Sequence, residues 1–187
     1  MISIYLAAIA SKQTIRSYCM KRISQFILIS ILYFLSANIS FADYTYSPKT
    51  CEYQVSFPST PKIKDVSVEN YFHQSATLVL KEIALRASCS IFKDEGVFDV
   101  SDKALVDWAK DWTSRMGLTL PEISIENTSM GRLLRIKGSK LLQGEQTIVS
   151  ALIYHGSYSR LAIVVGAPAS IYPTMEIIKF IKTVRKN

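Results

Sequence analysis

Between Met20 and Ala42 the chain carries a basic pair, Lys21-Arg22, then an apolar run from Ile23 to Leu35 broken by Ser24, Gln25 and Ser30, and it closes on the small residues Ser40 and Ala42. Each part has a physical task in export. The cations stay on the cytoplasmic side, the short apolar helix enters the translocon, and small side chains at the minus-three and minus-one positions fit the peptidase. The run is shorter than the about 20 residues that a stable membrane span requires. The pattern therefore predicts a signal peptide over residues 20–42, cut before Asp43, and leaves residues 43–187 to form one folded domain. Met1 to Ala10 is a second apolar patch followed by polar residues. Because a leader of ordinary shape begins at Met20, residues 1–19 read as a mis-assigned N-terminal extension.

The cut changes what the composition means. Four of the 22 basic residues (Lys12, Arg16, Lys21, Arg22) and none of the 15 acidic residues precede it, so the formal charge falls from +7 to +3. That is too mild to argue for a nucleic-acid partner. Of three cysteines, Cys51 and Cys89 remain. An even count in an exported chain predicts a disulfide between them, and a periplasmic or secreted location. The alternatives are two buried thiols or part of a metal site. No C-x-x-C or H-x-x-x-H spacing occurs, and neither His73 nor His155 lies close in sequence to a cysteine.

Periodicity predicts an α+β fold. Cys51, Tyr53, Val55 and Phe57 alternate with Glu52, Gln54 and Ser56, which is a half-buried strand ended by Pro58 and Pro61. A weaker strand is expected over Val66–Phe72, with Val66, Val68 and Phe72 inward. A long β-compatible run covers Ala76–Phe92, with Val79, Ile83, Leu85, Ala87, Cys89 and Ile91 on one parity. Lys93 to Gly96 reads as a turn. Ser101 is an N-cap candidate for a helix to Met116, whose stripe includes Leu105, Trp108, Ala109 and Trp112, with Gly117 as its left-handed stop. Extended chain over Leu118–Ile125, a hairpin over Gly131–Leu142 and Gln146–Tyr154, and a strand over Leu161–Val165 follow. A last helix is expected with Pro173 in its first turn and Ile177, Phe180, Ile181 and Val184 on its apolar face. The whole reads as an antiparallel sheet packed by a central helix and a C-terminal helix.

The strand motif Tyr53-x-Val55-x-Phe57-Pro58-x-x-Pro61, the central helix, the meander after it and the closing Phe180–Thr183 stretch resemble the PsbP-like α/β/α superfamily of small exported proteins. That group includes the extrinsic P protein of photosystem II and a Ran-binding nuclear-import factor. The resemblance implies a sandwich fold and a role in binding or assembly rather than catalysis, with no site residue carried over.

The sequence carries no recognisable catalytic, metal or cofactor constellation. P-loop, G-x-G-x-x-G, EF-hand and G-x-S-x-G patterns are absent. Both histidines read as edge or solvent-exposed residues. Asp107 and Asp111 lie i, i+4 beside Lys103 and Lys110, as on a solvated helix face. Trp108 and Trp112 are either core or a ligand-stacking pair. Asn127-Thr128-Ser129 matches a glycosylation acceptor. The most suggestive cluster is Arg132, Arg135, Lys137 and Lys140, which either meets an anionic envelope component or protects a strand from aggregation. The expected function is a small non-enzymatic binding or assembly protein of the envelope or exterior, touching a membrane only through its leader. A secreted hydrolase, or a released factor acting on a host, are the alternatives.

Overall fold

A computed structural model describes residues 43–66, 71–92 and 100–187. The leader, residues 1–19, Val68 and the Lys93–Gly96 turn lie outside the described residues. The elements are β1 (Tyr44–Tyr46), β2 (Tyr53–Phe57), β3 (Lys62–Asp65), β4 (Tyr71–Leu80), β5 (Ile83–Phe92), α1 (Asp102–Arg115), β6 (Thr119–Thr128), β7 (Gly131–Leu142), β8 (Glu145–His155), β9 (Ser159–Pro168), α2 (Met175–Lys182) and β10 (Arg185–Lys186). Strands β3-β4-β5-β9-β8-β7-β6 form a seven-stranded sheet in which every pairing is antiparallel, and β1-β2-β10 form a small second sheet. The domain is α+β, with more sheet than helix.

Each face of the large sheet carries a core cluster, and this sets the layers. On one face Leu85, Ala87, Cys89, Leu161, Ile163 and Val165 meet Tyr53, Val55 and Phe57 of the small sheet and Ile177 and Phe180 of α2. The rings of Phe57 and Phe180 lie 4.7 Å apart there. On the opposite face Leu134, Ile136, Ala151 and Ile153 pack beneath Ala109 of α1, flanked by Trp108 and Trp112. Strands with apolar residues at both parities belong in the middle of such a stack.

Local chemistry explains the element ends. Ser101 caps α1 by accepting the Ala104 N–H, and Gly117 adopts φ +64° just past the C-cap. In β7–β8 the two-residue turn Gln143-Gly144 takes positive φ at both positions, as a tight hairpin turn demands. Three expectations need correction. Pro173 is not in the first turn of α2; it precedes the N-cap Thr174 in a cis peptide after Tyr172. The run Ala76–Phe92 is two strands, because Lys81-Glu82 turns the chain with Lys81 at φ 51°. Val79 thus pairs with Ala84 and faces outward, 66% exposed, rather than joining Leu85 in the core. The weak strand does not begin at Val66, which is exposed after the charged edge strand β3. Among the described residues no helix is long and apolar enough to cross a membrane.

Candidate functional site

Cys51, just ahead of β2, and Cys89, in the middle of β5, are disulfide-bonded with Cα atoms 6.2 Å apart. The bond joins the small sheet to the large one. Tyr46 reinforces the same seam: its hydroxyl donates to the Gln74 carbonyl at 2.6 Å and accepts the Cys89 N–H at 3.3 Å. Burial raises the phenol's pKa well above its ordinary value, so it remains a neutral donor.

Glu52, expected to point outward, is buried. Its carboxylate accepts the backbone N–H groups of Ser157 (3.1 Å), Tyr158 (3.0 Å) and Ser159 (2.9 Å), together with the Ser159 hydroxyl (3.1 Å). A Cβ on Gly156 would collide with that carboxylate, which explains the glycine in the β8–β9 turn. Burial alone would raise the acid's pKa; the N–H donors of Tyr158, Ser157 and Ser159 outweigh it and hold the value below the ordinary one. Fully engaged with its own chain, Glu52 is a structural clamp rather than a catalytic acid.

The histidines occupy different surroundings. His73 is half-buried on β4, with Nδ1 2.9 Å from the Ser90 hydroxyl. Burial first, and the Arg86 charge next, lower its pKa. His155 is buried at the end of β8, in register with Arg132 on one side and Arg160 on the other. Neither ring nitrogen has a hydrogen-bond partner among the described residues. Burial, then Arg160 and Arg132, push its pKa down to about 3. A histidine held neutral in the fold but free to protonate at its ordinary value when unfolded makes stability rise with pH. The contribution is complete above about pH 6.5 and disappears as pH falls toward 3. We expect about 2 kcal/mol to be lost between pH 7.5 and pH 5, and a His155→Phe variant to lack that slope. Urea melts at the two pH values test it; equal slopes in both proteins would refute the assignment.

The four cations of β7 do not form one patch. Strand alternation sends Arg132 and Lys140 to the α1 side and Arg135 and Lys137 to the other. Arg132 binds Asp102 at 3.2 Å, and Arg135 binds Glu126 at 2.6 Å. Lys137 stands 6.0 Å from the centroid of the Tyr172 ring. Asp107 and Asp111 pair with Lys110 and Arg115 on the exposed helix surface. Asn127 is exposed at the end of β6.

A different basic surface emerges from the sheet register. On the α1 side of the large sheet, Lys62, Thr77, Arg86 and Val164 form one row across β3, β4, β5 and β9; Lys64, Ser75, Ser88 and Ala162 form the next. His73, Ser90 and Arg160 continue it across β4, β5 and β9. No acidic residue occupies a described position on this face of these four strands. Lys62, Lys64 and Arg86 are exposed and make no ion pair among the described residues. Between the cations the side chains are small or hydroxylic, giving a low floor. The tryptophans stand at its side. Their rings stack at 6.4 Å with a 20° interplanar angle, are half-buried, and flank the same apolar cluster as Ala162 and Val164. Arg160 lies 6.0 Å from the Trp108 ring. The sequence could not disclose this surface, because its cations come from three strands and the tryptophans from a helix, and only register unites them.

No family model and no curated protein matches the chain. Among solved structures it is similar to a Bacteroides thetaiotaomicron protein at 13% identity, with a TM-score of 0.42 over 73% of this chain and 45% of that one. It thus spans less than half of that relative. A Pseudomonas aeruginosa protein of unknown function is similar at 8% identity, with a TM-score of 0.36 over 72% of this chain and 88% of that one.

Proposed function

We propose that this chain is an exported, non-enzymatic binding domain that meets an anionic component of the cell envelope through the open face of β3, β4 and β5. The observation that carries the reading is the grouping of Lys62, Lys64 and Arg86 on a face whose described positions in β3, β4, β5 and β9 hold no acidic residue. Such a surface raises the local concentration of an anionic partner and speeds its capture. Export is supported by the Met20–Ala42 leader pattern and by the Cys51–Cys89 disulfide, which is compatible with an oxidising compartment. The layout resemblance to PsbP-like proteins also favours binding and assembly. The proposed mature protein begins at Asp43 and resides in the periplasm or outside the cell.

Two measurements test the reading. Protein purified from its own cells by fraction should have the intact mass of Asp43–Asn187 less two hydrogens and be absent from the cytoplasm. It should sediment with washed envelopes in a salt-sensitive manner. A Lys64→Glu/Arg86→Glu variant should sediment about tenfold less, equivalent to about 1.4 kcal/mol. A cytoplasmic, uncleaved protein, or unchanged sedimentation of the variant, would overturn the proposal. A secreted hydrolase has one observation in its favour, the contact between the Ser90 hydroxyl and His73. In that case His73→Ala would abolish turnover; a binding domain retains its envelope association after the same change.

A further inference from the structure

The chemistry of the open face identifies the class of ligand more narrowly, and this step rests on the binding reading above. A partner for this surface must satisfy three kinds of group. Lys64 and Arg86 require negative charge; guanidinium and ammonium groups bind carboxylates through charge-assisted hydrogen bonds. Thr77 and Ser88 are half-buried hydroxyl side chains that offer donors and acceptors to a hydroxyl-rich partner. Trp108 and Trp112, stacked on each other and half-buried, leave part of their aromatic surface at the margin, where a flat, weakly polar ring can lie. The floor is wide as well: Lys64 on β3 and Ala162 on β9 stand three strand spacings apart, about 14 Å. A single small anion would leave most of it unused.

We propose that this face binds an acidic polysaccharide, with sugar carboxylates on Lys64 and Arg86, sugar hydroxyls on the serine-threonine floor, and the C–H face of a sugar ring against the tryptophan pair. A lipid surface fits less well, since the floor carries hydroxyl groups rather than a continuous apolar patch. The hydroxyl floor also has no special use for the bases of a nucleic acid, which would be held mainly by stacking and phosphate charge.

The two tryptophans are the only ones in the chain, so their fluorescence reports the proposed site directly. The probe is polygalacturonate, with dextran as the neutral comparison, added to protein purified from its own cells. We expect a saturable change in tryptophan emission with polygalacturonate, none with dextran, and weakening by added salt. Lys64→Glu/Arg86→Glu alters exposed side chains only; it should keep the wild-type melting temperature and weaken polygalacturonate binding at least about tenfold. Equal responses to both polysaccharides, or an undiminished response in the variant, would overturn the proposal. So would tighter binding of oligothymidylate or of phosphatidylglycerol vesicles at matched charge concentration. If the variant loses envelope sedimentation while polygalacturonate leaves the emission unchanged, the glycan assignment falls and the binding reading stands.

Discussion

Replacing Glu52 with alanine is expected to destabilise the domain by roughly 4 kcal/mol, although the residue belongs to no strand or helix. The reason is the set of donors it serves. Without the carboxylate, the N–H groups of Ser157, Tyr158 and Ser159 lose their acceptor, the first two in part-buried and the third in buried positions. Each buried donor left unmatched costs about 1–3 kcal/mol. The same residue ties the last residues of the chain and the start of β9 to the start of β2. Its N–H donates to the Ser159 hydroxyl, its carbonyl accepts from Asn187, and Lys186 Nζ lies 3.6 Å from the carboxylate. Glu52→Gln is a sharper test, because it retains size while replacing one acceptor oxygen with an NH2 group that confronts backbone donors. We expect it to lose about 3 kcal/mol.

The pH dependence separates Glu52 from His155. Glu52 has a lowered pKa in the fold, so its contribution is complete above the unfolded carboxylate value and lost as pH falls through the folded one. Its limb therefore starts below about pH 4.5. The His155 limb starts two pH units higher, near 6.5, where an unfolded imidazole begins to protonate. Urea titrations of Glu52→Gln should retain the upper limb and lose the lower. A Glu52→Gln protein as stable as wild type at pH 7 would show that the turn does not depend on the carboxylate.

The sequence disclosed features encoded within one local stretch. Ser101 and Gly117 mark the two ends of α1, and Gln143-Gly144 marks the β7–β8 hairpin. The parity of Ile83 to Cys89 places the buried side of β5. Features that depend on distant partners stayed hidden. Lys81-Glu82 contains neither glycine nor proline, so the reversal between β4 and β5 had no local signal; that reversal alone moved Val79 to the opposite face. Glu52 reads as an outward polar residue because the donors that hold it lie more than 100 positions later. β10 is two residues long, too short for any periodicity, and pairs with β2 only because the C-terminus returns there. The candidate site illustrates the same limit. The four cations of β7 are close in sequence but alternate between faces, whereas Lys62, Lys64 and Arg86 are scattered and share one.

The disulfide is the other change with a large expected effect. Closing a loop of 38 positions removes denatured-state entropy worth about 4 kcal/mol in the chain-entropy model. For a domain of this size that corresponds to a melting temperature lower by about 12 °C in a Cys51→Ala/Cys89→Ala variant. The location argues for the full effect. Cys51 and Cys89 are both buried, and the bond ties the small sheet to the centre of the large one, across a seam also held by side-chain packing, by Tyr46 and by the Glu52 clamp. Reduction without mutation leaves two small apolar thiols in place, so the reduced protein should fall between wild type and the double variant in urea midpoint. It should also remain folded at 25 °C. Native protein should resist alkylation until it is unfolded and reduced, because neither sulfur is open to solvent. A double variant that melts with the wild type would mean that packing and hydrogen bonds hold the seam without the disulfide. A native protein alkylated without a reductant would mean that the cysteines are not paired in the cell, and would remove the disulfide from the case for export.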